Sequence, residues 1–177
     1  MTSLYQIDST HSSANFSVKH MMIAKVHGSF EKLSGKFIYD PQNLSKSRVE
    51  AAIETASIST REGQRDNHLK SADFLNVEKF PVMTFVGSDF KKKGDEIEVR
   101  GKLTIKDITK DVTLMMEEPS AEIKDPRGNL KIGLSAKTKI NRKDFGLSWN
   151  GALEIGGVLV GEEVSIALDI QFIKSVE

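Results

Sequence analysis

The sequence contains no cysteine, only four prolines and a single tryptophan. The absence of cysteine excludes disulfides, thiol nucleophiles and cysteine-based metal sites, although it leaves the cellular compartment open. Charges cancel, since 25 lysines and arginines are matched by 25 aspartates and glutamates. Neutralisation of phosphates dominates affinity for nucleic acids, so a chain without surplus positive charge is a poor candidate for binding them. We therefore expect no nucleic-acid partner.

Long apolar runs are also missing, because no stretch approaches the roughly 18 apolar residues that a spanning helix needs. The first residues lack a basic segment followed by an apolar run, which is the pattern of a signal peptide. As the chain stands we expect a cytoplasmic protein, and a periplasmic or secreted one if a leader has been removed. The length of 177 residues, without linker or repeat, favours one domain over residues 1–177.

What the sequence does contain is a period-two alternation of apolar and polar residues. Residues 164–172 give the clearest example, and residues 97–105 a second, in which Gly101 indicates a bend or bulge. Roughly eight segments share this alternation, among them 26–40, and turn sequences rich in Asp, Asn, Pro and Gly separate them. The pattern is typical of antiparallel sheet with one face in water.

One stretch breaks the strand pattern. Ser59 followed three residues later by Glu62 resembles a capping box, and residues 63–75 lack alternation, so we predict a short helix there. A second turn of helix is predicted over residues 19–24. Two short helices cannot cover both faces of a large sheet, so the apolar strand faces must bury against each other in a sandwich or a closed barrel.

The barrel is the better prediction. A strand of about 12 residues at about 3.4 Å per residue, tilted by about 40°, gives a barrel roughly 30 Å tall. The interior of an eight-stranded barrel holds side chains or one slender ligand. Small residues recur in the apolar rows, as at Ala14, Ala51 and Ala136, and they favour a partly open interior over a filled one.

Polar candidates are few. The four histidines, His11, His20, His27 and His68, form no closely spaced metal-binding pair, so we expect no metal site. Residues 65–71 place a cation, a carboxylate and an imidazole on one short element. They either contact a polar ligand group or, as we favour for Arg65 and Asp66, anchor the helix over a barrel end.

Arg142 and Asp144 form a second charged group. Two residues apart on a strand, their side chains are expected on the same face, where they would pair with each other or with Asp66 and Arg65. A structural ion pair is the favoured interpretation, and a functional site the alternative.

A set of short motifs follows one another along the chain: residues 8–12, 16–21, 26–30, 64–75, 81–85, 101–105 with Thr109, and 142–147, together with the final strand and its glycine-rich approach at 156–161. This ordered set resembles the YceI-like family of polyisoprenoid-binding, lipocalin-like barrel proteins. The resemblance spans residues 4–174. It implies an all-β fold, an eight-stranded antiparallel lipocalin-like β-barrel with one or two short helices near a barrel end. Asp107 stands where the family commonly has glycine, so that turn is expected to differ.

The resemblance implies a non-enzymatic protein, without cofactor, that binds, stores or transports a long-chain polyisoprenoid or related lipid inside the barrel. An isoprenoid quinone, a polyprenyl phosphate or a fatty acyl chain is the expected ligand. The predicted tail-lining side chains are Phe16, Val18, Phe30, Phe37, Phe85, Leu103, Leu134, Trp149, Ile166 and Leu168. The candidates for contact with the head group are His20, Arg65, His68 and Arg142.

Two alternatives stay open. One is a hydrolase or isomerase-type enzyme that uses His68 or His20 as general base on a lipid-like substrate, with Asp66 or Asp144 as the partner carboxylate. The other is a filled barrel that acts as an interaction module. Expected partners are the lipid itself, a transient contact with a membrane or a lipid enzyme, and, from the resemblance, a second copy in a homodimer.

Overall fold

The computed structural model describes residues 1–151, 153 and 158–176. Within them the chain forms short 3-10 turns, one α-helix and twelve β-strands. The strands are β1 (Ser3–Ile7), β2 (Ser13–His20), β3 (Ala24–Phe30), β4 (Leu33–Tyr39), β5 (Arg48–Glu54), β6 (Ile58–Ser59), β7 (Val82–Lys93), β8 (Glu96–Ile105), β9 (Ile108–Glu117), β10 (Ile123–Lys124), β11 (Leu130–Asn141) and β12 (Val160–Lys174). The helix α1 spans Gly63–Lys70. No described helix is both long and apolar enough to cross a membrane.

Eight strands close into an antiparallel barrel, which confirms the predicted fold class. Their order is β11-β9-β8-β7-β5-β4-β1-β12, and the pairing of β12 with β11 completes the ring. The strands β2, β3 and β6 extend the same wall, because β2 pairs with the first part of β12, β3 with β2 and β6 with β3. The 15-residue β12 is therefore the strand on which three others converge.

The alternation in the sequence explains which side chains face inward. In β12, Ile170 and Phe172 are buried, whereas Asp169 and Gln171, which alternate with them, are exposed. A bend predicted at Gly101 corresponds to a register shift between Gly87 and Asp89 on the facing strand β7. A Cβ atom at Gly101 would lie 2.4 Å from the Val86 carbonyl oxygen, so the two strands approach each other there as only glycine allows.

Two local predictions are wrong. The turn of helix predicted over residues 19–24 is instead the tight turn that joins β2 to β3, closed by a 3.3 Å bond from Ile23 N–H to the His20 carbonyl. Cross-strand pairing of the flanking residues supplies the backbone bonds that a helix would have made. The 26–40 segment is two strands, interrupted at Glu31 and Lys32, whose N–H groups donate to the Ser57 hydroxyl.

The helix α1 also differs from its prediction. It begins after Glu62, whose carboxylate accepts from the N–H groups of Gln64 and Arg65, whereas Ser59 belongs to β6. Arg61 has a φ of 63°, which prevents the helix from starting earlier. The helix ends at Lys70, so only the first part of residues 63–75 is helical.

Buried side chains gather in two clusters inside the barrel. One contains Phe37, Phe90 and Phe172, with Tyr5 beside them. The other lies near α1 and contains Leu75, Met83, Ile105, Val112, Phe145 and Ile58. Fully burying one large apolar side chain contributes about 1.5–3 kcal/mol, so each cluster is a substantial part of the folding free energy.

Candidate functional site

A cavity of about 400 Å³ lies inside the barrel and is lined by inward-facing side chains from every strand of the closed ring. This volume falls within the roughly 300–1,000 Å³ typical of small-molecule sites. Along β12 the lining side chains run from Val160 to Phe172. That distance is about 12 residues, or roughly 30 Å of barrel height for tilted strands. The cavity is therefore long and narrow.

All ten side chains predicted to line a lipid tail lie on this wall, from Phe16 and Val18 on β2 to Ile166 and Leu168 on β12. Their contact with a lipid stays a prediction. The alternating rows of the sequence also contain further wall residues, such as Leu114 and Met116. Leu69 and Phe74 were missed, because they come from the helix and the loop after it, where no alternation marks the inward face.

One end of the cavity is closed by an aromatic floor, which we define as Tyr5, Phe37, Tyr39, Phe90 and Phe172. The ring centroid of Phe37 lies 5.1 Å from that of Tyr39, 6.0 Å from Phe90 and 5.2 Å from Phe172. Only 1% of Phe37 is exposed. The floor is therefore a packed wall that neither water nor a ligand passes.

The other end is a rim of mixed chemistry, which we define as His20, Arg65, His68, Phe74 and Trp149. The His68 ring stands edge-on to Phe74 and Trp149, with centroid distances of 5.0 and 4.6 Å. Its Nε2 atom lies 2.8 Å from a carboxylate oxygen of Asp73, and 37% of its side chain is exposed. This end of the cavity therefore offers polar groups beside apolar surface.

Arg65 and Asp66 anchor α1, as we predicted for them. The Arg65 Nε and Nη2 atoms donate to the hydroxyl and the carbonyl of Thr60, at 2.8 and 2.9 Å. Asp66 accepts from the Thr60 N–H and hydroxyl, at 2.8 and 2.6 Å. Thr60 directly follows β6 and is 5% exposed, so these bonds fix the helix to the end of that strand. Arg65 Nη1 takes no part in them.

Arg142 is buried, with 3% of it exposed, and binds backbone carbonyls. Its guanidinium donates to Leu147 at 2.6 Å, Trp149 at 2.9 Å, Val160 at 3.2 Å and Gly161 at 2.7 Å. Burial lowers the pKa of the guanidinium. Arg142 thus positions the segment that carries Trp149, and its contact with a lipid head group stays a prediction.

The predicted pairing of Arg142 with Asp144 is wrong. The two residues lie in a 3-10 turn, Arg142–Phe145, and not on a strand, so their side chains do not share a face. Asp144 is exposed, and Asp66 and Arg65 are bound to Thr60.

Asp66 and Asp144, the carboxylates proposed as partners of a histidine base, do not contact a histidine ring. Asp66 binds Thr60, and the partner of His68 is Asp73, which the sequence did not indicate. The nearest hydroxyl in sequence, that of Ser71, donates to the backbone carbonyl of His68 and not to its ring. Within the part of the chain that the structure describes, no group of three His, Cys, Asp or Glu side chains is placed to hold a metal ion.

Comparison with known proteins gives a consistent result. A family model described as the YceI-like domain matches residues 5–172. The Protein YceI of Salmonella newport (strain SL254) is 39% identical over 146 residues, which are 81% of this chain and 76% of that protein. The Protein YceI of Salmonella arizonae matches to the same extent. The family model therefore spans the chain from within β1 to Phe172 in β12.

Solved structures of similar fold extend the comparison. BcnA of Burkholderia cenocepacia superposes with a TM-score of 0.81 at 22% identity, over 93% of this chain and 98% of that chain. A YceI protein of Campylobacter jejuni gives a TM-score of 0.69 at 28% identity, over 90% of both chains. A polyisoprenoid binding domain of Saccharophagus degradans gives 0.69 at 16% identity, over 97% and 98%.

Proposed function

The chain belongs to the YceI-like domain family, and from that premise we propose that it binds the apolar tail of a long-chain lipid inside its barrel. The observation that carries this proposal is the cavity of about 400 Å³, apolar along its wall and closed at the floor. Its long, narrow form fits an extended chain such as a polyisoprenoid, an isoprenoid quinone, a polyprenyl phosphate or a fatty acyl group. The polyisoprenoid binding domain of similar fold supports the same ligand class.

The driving force for binding is removal of the tail from water. Burial contributes about 25 cal/mol per Å² of apolar surface, or about 0.8 kcal/mol per CH₂ group, before the cost of ordering the chain is subtracted. A wall of aliphatic and phenyl side chains distinguishes tails by length and thickness more than by functional groups. The barrel therefore suits a family of similar tails better than one particular molecule.

We infer that the head group of the lipid lies at the rim. The aromatic floor offers no polar side chain to the cavity, so a polar head group finds no partner there. At the rim, Arg65 keeps one nitrogen outside its bonds to Thr60, and His68 is oriented by Asp73. His20, at the end of β2, completes the candidate contacts. Such donors suit a phosphate or a quinone oxygen.

The proposed role is binding, storage or transport without catalysis and without a cofactor. The single domain, the homodimer and the cytoplasmic location stay predictions. A lipid held by its tail and released unchanged needs no reactive group at the rim.

The proposal is tested by native mass spectrometry of the purified protein, followed by solvent extraction and by titration with geranylgeraniol and palmitate. We expect a bound long-chain lipid. The variant Ala136→Phe fills the cavity from β11 and should weaken tail binding at least about tenfold, or ~1.4 kcal/mol. Leu134→Trp is a second filling variant, in case the first is poorly folded. Both side chains line the cavity.

Lys137→Gln is the matched control, because Lys137 follows Ala136 on β11 but is exposed. It should bind lipid as the parent protein does. A protein without bound lipid and without affinity for either probe would overturn the proposal. Turnover of a lipid ester that is lost in His68→Ala, while lipid binding persists, would support the enzyme alternative instead.

A further inference from the structure

The turn between β2 and β3 carries an exposed cluster of apolar side chains. Met21 is 42% exposed, Met22 59% and Ile23 83%. Val158, also 42% exposed, lies beside them, because the next residue, Leu159, accepts a 2.8 Å bond from the Met21 N–H. We call these four residues the apolar tip. None of the four belongs to either of the two buried clusters formed by the described residues.

The backbone of this turn is unfavourable for its residues. Met21 and Met22 have φ values of 52° and 62°, the pattern of a type I′ turn, which asparagine followed by glycine adopts best. Bulky side chains are strained in this region. The chain therefore keeps two methionines where both conformation and solvent disfavour them, and neither buried cluster of the described residues includes them.

The apolar tip adjoins the rim of the cavity. His20, the residue before the turn, lines the cavity, as does Val160, its partner on β12. Behind the tip, Lys19 and Lys25 face each other across the hairpin, and both are exposed. Neither forms an ion pair within the described part of the chain. Like charges opposite each other on neighbouring strands are destabilising unless an anion lies near.

We propose that the apolar tip inserts into the surface of a phospholipid bilayer, with Lys19 and Lys25 at anionic head groups. Interfacial binding combines buried apolar side chains with basic residues at the head-group level, and the hairpin supplies both. The purpose of the contact rests on the proposed function: the rim meets the bilayer, so a lipid tail passes between membrane and cavity without crossing water.

The form of the tip favours a bilayer over a protein partner. A stable protein interface buries about 800 Å² on each side and is broad and closely fitted. Three side chains on a narrow hairpin, with a fourth beside it, cannot supply such a face. Methionine is unbranched and adapts to irregular surroundings, which suits the fluid boundary between head groups and acyl chains.

The decisive experiment is cosedimentation with mixed vesicles of phosphatidylcholine and phosphatidylglycerol. The variant Met21→Asn/Met22→Gly/Ile23→Thr provides the sequence that a type I′ turn prefers, so it should unfold at the same or a higher temperature. We expect it to lose vesicle affinity by about tenfold or more, since three apolar side chains no longer leave water. Lys19→Gln/Lys25→Gln should abolish the preference for vesicles that contain phosphatidylglycerol over pure phosphatidylcholine.

The matched control is Ile123→Thr/Leu130→Thr/Val176→Thr. These three apolar residues are 65%, 37% and 97% exposed and lie near the floor end of the barrel, at or beside the paired ends of β10, β11 and β12. The control should bind vesicles as the parent protein does. Equal affinity of parent and tip variant for vesicles, or no binding by the parent, would overturn the proposal.

Two further measurements separate the possible failures. Sedimentation without lipid reports assembly, and a tip variant that turns a dimer into a monomer would show that the tip contacts a second copy, which overturns membrane docking. Geranylgeraniol delivered from detergent micelles should fill the tip variant as fully as the parent. Vesicle binding by a protein whose barrel takes up no lipid would overturn the proposed function and leave docking intact.

Discussion

At the floor of the cavity, Phe37 has four aromatic rings beside it and is 1% exposed. At the rim, His68 packs between Phe74 and Trp149 with 37% of its side chain exposed. Both ends are aromatic, yet only the rim mixes its rings with groups that carry or attract charge. An aromatic ring therefore does not define an end of this barrel. The two ends differ in their polar groups, which face the cavity at the rim and are bonded outside it at the floor.

Polar bonding around the floor lies on its outer side. The Tyr5 hydroxyl donates to Glu122 at 2.8 Å, and Lys174 donates to the same carboxylate oxygen at 2.7 Å. Nearby, Lys131 binds Asp8 at 2.8 Å and holds the pKa of that carboxyl below its usual value. These bonds join β1, β11, β12 and the segment before β10. The floor is thus tied across strands from outside, while the rim keeps polar groups at the cavity.

The largest expected effect concerns packing at the floor. Phe37→Ala should lower the free energy of unfolding by about 3–5 kcal/mol, because a fully buried ring is replaced by a void among its neighbours. Trp149→Ala should lower the free energy of unfolding by clearly less, since Trp149 is only half-buried. Urea unfolding of both variants measures the difference. Equal losses would show that floor and rim are packed alike, against the contrast drawn here.

The second prediction concerns alkaline pH at the floor. Burial, and then the bond to Glu122, raises the pKa of Tyr5 from 10.0 to about 12. The folded protein therefore holds the phenol proton more tightly than the unfolded chain does, so this contribution is complete below pH 10 and is lost as the pH rises towards 12. Over that window the free energy of unfolding should fall by about 2 kcal/mol.

Tyr5→Phe isolates this contribution. The variant should be less stable at neutral pH by about 1 kcal/mol, because Glu122 loses a hydrogen bond. Between pH 10 and 12, urea unfolding should show a smaller decline for the variant than for the parent protein. Parallel declines in the two proteins would mean that the phenol of Tyr5 titrates normally.

The third prediction concerns the anchor of α1 at the rim. Asp66→Ala removes both bonds to Thr60 and should lower the free energy of unfolding by about 1–3 kcal/mol, since a buried hydroxyl and N–H lose their acceptor. Asn67→Ala, at the exposed neighbouring position, should stay within about 0.5 kcal/mol of the parent. Hydrogen exchange at the Thr60 amide should quicken only in the first variant.

The smallest effect is spectroscopic. Trp149 is the only tryptophan and lies at the rim, in contact with His68 and Phe74. Filling the cavity with geranylgeraniol should shift its fluorescence to shorter wavelength, because the indole loses water on one side. The urea midpoint of Trp149→Phe should remain near that of the parent. An emission spectrum that does not respond to bound lipid would place the occupied part of the cavity away from the rim.

The regular part of the fold follows directly from the sequence. Alternation places Val164, Ile166 and Leu168 on one face, and in the structure all three line the cavity. The same rule identified the inward rows of β5, β9 and β11. Period-two patterning works here because a barrel wall is one sheet thick, so every strand has one wet and one dry face.

The structure of the rim is predicted much less well from the sequence. Asp73 lies in a turn after α1, and its contact with His68 depends on how that turn folds back over the barrel. Trp149 is held by Arg142 through backbone carbonyls, a bond that no pattern of side chains reveals. The hairpin at Met21 and Met22 resembled a turn of helix, because the sequence offers neither the asparagine nor the glycine that usually marks such a turn. Gly156 and Gly157 of the glycine-rich approach lie outside the described residues.

The convergence of three strands on β12 bears on how the molecule is made. Phe16 pairs with Ile166, and Tyr5 with Lys174, so the wall joins segments at opposite ends of the sequence. Contacts of such long sequence separation raise the contact order and slow folding. During synthesis, β1 and β2 each have one edge unpaired until β12 has left the ribosome. The closed cavity requires that the last strand of the chain pairs with β1 and β11, so no shorter piece of the chain encloses a tail on all sides.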